Sequence, residues 1–128
     1  MRLWLQLLNL KNNYYSGKFA EFIAKLFLRL KGYSIVSSRY SAIRGTSAGE
    51  IDIIAKKKHI IIFIEVKKRN TIDTAKEAIF SKQQNRIYNS AEIFLSKHKK
   101  YQNYDCRFDA ICFDKYYRFT HIKNAWGL

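Results

Sequence analysis

Proline is absent from this 128-residue chain, and glycine occurs only five times. No Gly/Pro-rich linker is available to divide it, and no repeat recurs at solenoid spacing. One domain over residues 1–128 is expected, with residues 1–15 as an N-terminal extension. Long apolar runs are missing too. The longest, Ile60–Ile64, is five residues, against the roughly 20 that a bilayer-spanning helix needs, so no membrane partner is expected. The opening MRLWLQLLNL imitates a signal peptide, but Gln6 and Asn9 break it and no small-residue cleavage site follows. A helix or strand packed on the domain is expected there, with a weak interfacial anchor as the alternative.

Cysteine is scarce as well. Cys106 and Cys112 stand at even spacing in a strand-like run, which puts them on one sheet face as buried free thiols of a cytoplasmic protein. No pair-of-pairs zinc spacing exists, and His59, His98 and His121 stand apart, which argues against zinc. Acidic residues number ten against 24 Lys and Arg, a net charge of +14. Residues 1–49 hold eight Lys/Arg and a single acid, Glu21. Such a field attracts a polyanion, either nucleic-acid phosphate or an anionic membrane surface. The bland alternative is a solvated surface whose Lys, Ile, Asn and Tyr reflect A/T-rich coding.

Residues 17–31 carry Phe19, Phe22, Ile23, Leu26, Phe27 and Leu30 at helical spacing, with Ser16 as a cap and Gly32 as a left-handed stop. Glu21 then falls nearly opposite that stripe, in solvent, paired with Lys25, or facing a site. Strands are expected at Tyr33–Tyr40, 50–56 and 60–67, the last apolar on both faces as in a central strand. Residues 74–98 return to helical spacing, capped by Thr74, with a kink or break near Lys82. Residues 107–113 and 119–123 read as two more strands. The order α-β-β-β-α-β-β predicts an α/β sandwich with a central mixed sheet flanked by helices.

Side chains alternate along a strand, so Glu65 and Lys67 share a face, as do Glu50 and Asp52. A two-residue turn at Lys58–His59 would set Asp52 against Glu65 and Glu50 against Lys67. A slip of one residue would separate them. Opposed Cβ atoms lie about 4.5–5.5 Å apart, close enough for two carboxylates to grip one cation. In an aliphatic hairpin those carboxylates repel and are costly to desolvate, and a divalent metal offsets both costs. Oxygen donors favour Mg²⁺ or Mn²⁺. Such a pair with Lys67 suits phosphodiester hydrolysis. A cross-strand salt-bridge cluster is the competing reading.

Asp52 followed after twelve residues by Glu65-Val66-Lys67 resembles the D…(D/E)xK core of the restriction-endonuclease-like superfamily. The chain more closely resembles the YraN family of small bacterial proteins, themselves similar to archaeal Holliday-junction resolvases. The matching pieces are Gly17 with Ala20-Glu21, GEIDIIA (49–55), FIEVKKR (63–69), SKQQNRI (81–87), CRFDAICF (106–113) and the closing HIKNAW. The resemblance implies a restriction-endonuclease-like sandwich and an endonuclease acting on DNA, with branched or damaged DNA as candidate structures. It also implies site roles. Asp52 and Glu65 would be the principal metal ligands, joined by Glu21 and the Val66 carbonyl, with Lys67 the catalytic lysine and Gln83 a supporting polar residue. By analogy with paired cutting, a homodimer is a further expectation. The chain departs from the family in lacking a glycine after the EVK block.

Glu50 is either supporting or paired with Lys67 or a surface Arg. Asp109 with Arg107 reads as a structural ion pair. The Lys56–Lys58 turn is a solvated tip or a phosphate contact, and Tyr14 and Tyr15 are core residues or base-stacking platforms. Two other function classes remain: a non-catalytic basic nucleic-acid-binding module of the same fold, and an assembly protein on an RNA scaffold.

Overall fold

The structure, a computed structural model, describes residues 2–42, 49–80 and 84–126. Helix α1 (Arg2–Leu30) leads into β1 (Ser34–Tyr40), β2 (Ile51–Lys57) and β3 (Ile60–Lys68). Helices α2 (Ile72–Phe80) and α3 (Gln84–Lys97) and a 3₁₀ turn (Lys99–Tyr101) precede β4 (Asp105–Phe113) and β5 (Phe119–Ile122). The five strands lie side by side in chain order, all antiparallel except the parallel pair β3–β4. This is the expected α/β sandwich on a mixed sheet, with helix described at Ile72–Phe80 and Gln84–Lys97 within and beside the stretch expected at 74–98. The kink or break expected near Lys82 lies outside the described residues.

Central position explains the composition of β3. Ile61–Val66 are all buried because α1 covers one face of the sheet and α2 with α3 covers the other. A strand with no wet face has no use for alternation. On the α2/α3 side, Ile61, Phe63 and Phe108 pack with Ala75, Ile79, Ile87 and Phe94. On the α1 side, Ile53, Ala55, Ile62 and Ile64 meet Ala20, Ala24 and Leu28.

That last contact corrects the expected face of α1. Phe19, Phe22, Leu26 and Leu30 are exposed, Ile23 and Phe27 pack half-buried at the edge of the core, and the buried residues are Ala20, Ala24 and Leu28. Small residues win because they let the helix axis approach the flat aliphatic sheet closely. The helix also starts earlier than expected. Ser16 is not a cap but lies inside a continuous helix from Arg2, and residues 2–15 are exposed rather than packed on the domain. Its other end is as expected. Gly32 takes φ +92°, while the Gly32 and Tyr33 amides donate to the Arg29 and Leu28 carbonyls at 3.0 and 2.9 Å, a Schellman stop.

Helix α2 is capped by Thr71 rather than Thr74. The Thr74 amide donates to Thr71 Oγ1 at 3.1 Å, which satisfies one of the otherwise orphaned first-turn donors. Cys106 and Cys112 are free and contact the same core on the α2/α3 side. Burial pushes the Cys112 thiol up to about 11, so it behaves as a small apolar side chain. Among the described residues no helix is long and apolar enough to cross a membrane.

Candidate functional site

The β2–β3 hairpin turns through Lys58, at φ +55°, and His59. Its ladder runs from Lys57↔Ile60 to Ile53↔Ile64. This register is the one that a two-residue turn requires, and its next step opposes Asp52 to Glu65. Continued further, it would bring Val66 to Ile51. Ile51 instead stays with β1, opposite Tyr40, and the Val66 amide donates to Asp52 Oδ2 at 2.8 Å. The hairpin therefore forks at Asp52. Its carboxylate replaces a backbone carbonyl in the ladder and is held between the parting strands.

The fork opens into a cavity of about 240 Å³. Its walls are Glu50 and Asp52 from β2 and its approach, Glu65 to Lys68 from β3, and Gly17, Ala20 and Glu21 from α1. Asp52, Glu65, Lys67, Glu21 and Glu50 thus line one space. Gln83 lies outside the described residues. Glu65 is only 3% exposed, a carboxylate set into an otherwise aliphatic strand. Glu21 reaches the cavity because it flanks the Ala20–Ala24–Leu28 face, about 100° of helix rotation from Ala20. Its expected position opposite the packed stripe followed from assigning that stripe to the large residues, four of which are exposed.

Glu21 Oε2 also accepts from Arg39 Nε at 3.0 Å. Arg39 sits at the end of β1 in the left-handed region, φ +54°, a conformation that costs a non-glycine residue about 1–2 kcal/mol. Burial raises the pKa of Glu21, and the negative charges of Asp52 and Glu50 add to that rise while Arg39 opposes it. Four acids crowding one cavity is the arrangement that a cation relieves. The donors are all oxygens, which fits a hard divalent ion such as Mg²⁺ or Mn²⁺ completed by water. Among the described residues, however, no three His, Cys, Asp or Glu side chains are already gathered at metal-holding distance. The donor chemistry fits an ion, and the side chains would have to close on it.

Two features escaped the sequence reading. Arg39 lies 18 residues from Glu21, and no local pattern pairs them. The second is a groove of about 640 Å³ that shares Gly17, Val66, Lys67 and Lys68 with the cavity. It continues past Arg69, Asn70 and Asn13, so three consecutive cations border it. The KKR run was visible in the sequence, but that it lines a groove leading from the carboxylates was not.

The other singled-out pair is structural. Arg107 donates through Nε and an Nη to the two oxygens of buried Asp109 at 2.7 and 2.8 Å. His121 Nε2 lies 2.8 Å from Oδ2, and the Asn124 amide donates to Oδ1 at 3.0 Å. None of the four lines the cavity. Tyr14 and Tyr15 are both exposed and stand edge to face, 5.5 Å between centroids.

Fold and cavity together define an α/β sandwich with an acidic pocket at a forked hairpin, set in a basic chain. The family model that matches is that of the uncharacterised protein family UPF0102, over residues 20–113, and the chain belongs to that family, the YraN family of the resemblance above. A UPF0102 protein of Paramagnetospirillum magneticum is 38% identical over 112 residues, 88% of this chain and 87% of that protein. One of Ehrlichia ruminantium is 41% identical over 110 residues, 86% and 82% of the two chains. One of Nitrobacter winogradskyi is 39% identical over 98 residues, 77% and 80%. The matched span takes in Glu21, Asp52, Glu65 and Lys67 and leaves out most of the exposed length of α1.

Proposed function

We propose that this protein is a Mg²⁺- or Mn²⁺-dependent endonuclease that hydrolyses phosphodiester bonds in DNA, with branched or damaged DNA as its candidate substrates. The observation that carries the reading is the fork, where Asp52 is oriented by the Val66 amide beside buried Glu65, with Lys67, Glu21 and Glu50 on the same cavity. A purely structural ion-pair cluster has no need for so many carboxylates inside a chain of net charge +14. The preference for DNA rests on the family likeness.

Asp52, Glu65 and Glu21 would hold the ion, with the Val66 carbonyl as a further oxygen. A divalent ion in that position supplies Lewis-acid polarisation of a phosphoryl oxygen and acidifies water. The remaining work belongs to the side chains. The Val66 amide keeps Asp52 in one orientation, so little reorganisation is needed at the moment of reaction. Lys67, next in line on β3, orients the attacking water and neutralises charge developing on the phosphoryl oxygens. Lys68 and Arg69 receive the flanking phosphates along the groove. Gly17 lines both the cavity and the groove, and a Cβ there would meet nothing within 4 Å.

The Arg39–Glu21 pair favours a second reading, a nucleic-acid-binding module of the same fold that does not cut. A cleavage panel of linear duplex, single strand, flap and four-way junction, with and without Mg²⁺, separates the two. Wild type should cut at least one substrate only with the ion. Lys67→Ala and Glu65→Ala should abolish cutting while salt-sensitive binding survives. No cutting of any substrate, or variants as active as wild type, would leave the binding module. Mn²⁺ titration gives a check free of turnover, since Asp52→Asn should bind the ion at least tenfold more weakly.

A further inference from the structure

Helix α1 begins well before Ala20, the first of its residues buried against the sheet, and its opening turns are apolar around most of their circumference. Leu3, Trp4, Leu5, Leu7, Leu8 and Leu10 fill six of the eight positions 3–10, and each is 38–68% exposed. With Tyr14 and Tyr15 they cover an arc of about 220° at 100° per residue. The strip left over is polar and carries Gln6, Asn9, Asn13 and Ser16. It continues the line of Ala20 and Ala24, and Asn13 and Ser16 border the groove, so the arc is turned away from the sheet. Apolar residues scattered singly over a surface need no explanation. Six in eight do.

We infer that this end of α1 enters the headgroup–acyl boundary of an anionic lipid surface. Breadth selects lipid over a second copy. A two-stranded helix seam uses two positions in seven, which would leave most of these leucines in water. Lys11, inside the arc, would also be stripped of water against a partner helix. A lipid surface receives apolar groups on every side of the helix end. Trp4, Tyr14 and Tyr15 each join an apolar ring to a polar tip, the side chains that gather at such boundaries. The segment lies in the boundary and does not cross it. Eight residues rise about 12 Å, against the roughly 20 residues of a spanning helix.

Charge sets the sign of the lipid. Arg2, Lys11 and Lys18 precede the first acid, Glu21, and Glu21 is paired with Arg39 beside the cavity. Lys11, Lys18 and Lys25, seven residues apart, fall within about 40° of one another on the side away from the sheet. The first of them stands directly after Leu10. Oblique entry sinks the uncharged turns about 5–10 Å, the depth that interfacial segments reach. It then sets the lysines in succession against headgroup phosphates, each worth about fivefold in affinity. Arg2 lies on the side of the polar strip, from which its long stem carries the charge back to the headgroups. Nucleic-acid phosphate would satisfy these lysines but leave the leucines in water. The segment precedes Ala20, where the family match begins, and the contact does not depend on the nuclease reading.

Co-sedimentation of the full chain with vesicles tests it. Wild type should bind vesicles of equal parts phosphatidylglycerol and phosphatidylcholine at least tenfold more tightly than phosphatidylcholine alone, and less tightly as NaCl is raised. Leu7 belongs to neither side of the core. The double variant Leu3→Gln with Leu7→Gln, unchanged in charge, should therefore keep its circular dichroism and bind at least tenfold more weakly. Lys11→Gln should cost about fivefold. Leu26→Gln, near the other end of α1, should cost less than twofold. Trp4 fluorescence should shift to the blue on binding and be quenched by acyl-brominated lipid, and Trp4→Phe should bind without the shift. No binding to the mixed vesicles, or binding that the double leucine variant retains, would overturn the insertion. An oligomer formed without lipid and dissolved by that double variant would assign the arc to a second copy instead. Equal losses for Leu26→Gln and the double variant would overturn the oblique entry.

Discussion

Replacing Asp109 by Asn changes one oxygen to a nitrogen and tests whether this buried cluster holds the sheet together. The carboxylate is fully buried and each oxygen faces two partners: Oδ1 the Arg107 Nε and the Asn124 amide, Oδ2 an Arg107 Nη and His121 Nε2. An asparagine amide can keep only one side of that arrangement. Whichever way it turns, its NH₂ points at donors, and Arg107 loses its counter-charge. Removing one partner of a buried pair costs about 3–5 kcal/mol. The Arg107 side chain keeps 21% exposure, so water recovers part of the loss and about 3 kcal/mol is expected. That is roughly a hundredfold in the folding equilibrium. Urea unfolding at pH 7, followed by circular dichroism, measures it. A loss under 1 kcal/mol would show that the cluster contributes no more than a surface pair.

The same residue sets an acid limit. Burial pushes the Asp109 carboxyl up, but His121, Arg107 and the Asn124 amide outweigh burial and hold its pKa below the ordinary value. A depressed folded pKa means that its contribution is complete above the unfolded value of about 3.9 and is lost as pH falls through the folded one. Wild type should therefore lose stability steeply below about pH 4. Asp109→Asn should have a shallower acid limb, because it has already lost that contribution. Cation affinity at the fork should not change, since Asp109 does not line the cavity.

The strands were legible because strand physics is local. An apolar run on both faces marked β3, and alternation put Glu50 with Asp52 and Glu65 with Lys67. A turn of two residues then left one register that opposes the acids, and the observed ladder is that one. Helix α1 was misread for the complementary reason. Periodicity finds the most apolar stripe, but which stripe is buried depends on how closely a flat sheet lets the helix approach. Ala20 and Ala24 have too little hydrophobicity to signal their role. Phe22 and Leu26 contributed to the strongest periodic signal on the helix although they are exposed, while Ile23 and Phe27 of the same stripe pack at the edge of the α1-side core. Arg39 was illegible because its partner is joined to it only through the fold.

Gly49 stands at φ +78°, and a Cβ there would collide with Ser90 Oγ and lie 2.9 Å from the Arg86 carbonyl oxygen on α3. Strain of about 1–2 kcal/mol and overpacking of about 1–3 kcal/mol should make Gly49→Ala one of the more damaging single-methyl additions. A change under 0.5 kcal/mol in denaturant unfolding would refute the close approach. Thr71→Ala should cost about 1 kcal/mol through loss of the α2 cap, whereas Thr74→Ala, inside the helix, should cost less; the reverse order in thermal melts would return the cap to Thr74. Ala24→Leu tests the seating of α1 itself. Ala24 is fully buried against Ile53, Ile62 and Ile64, so an isobutyl group has no space and must lift the helix, at about 1–3 kcal/mol. Glu21 lies less than one turn before it and would move away from Asp52 and Glu65. Stability and Mn²⁺ affinity should then fall together, although no side chain lining the cavity has changed. Ala24→Ser, close in volume, should leave the affinity alone. If Ala24→Leu is stable and binds the ion as well as wild type, α1 is not held against the sheet by its small residues, and Glu21 does not depend on that contact for its place.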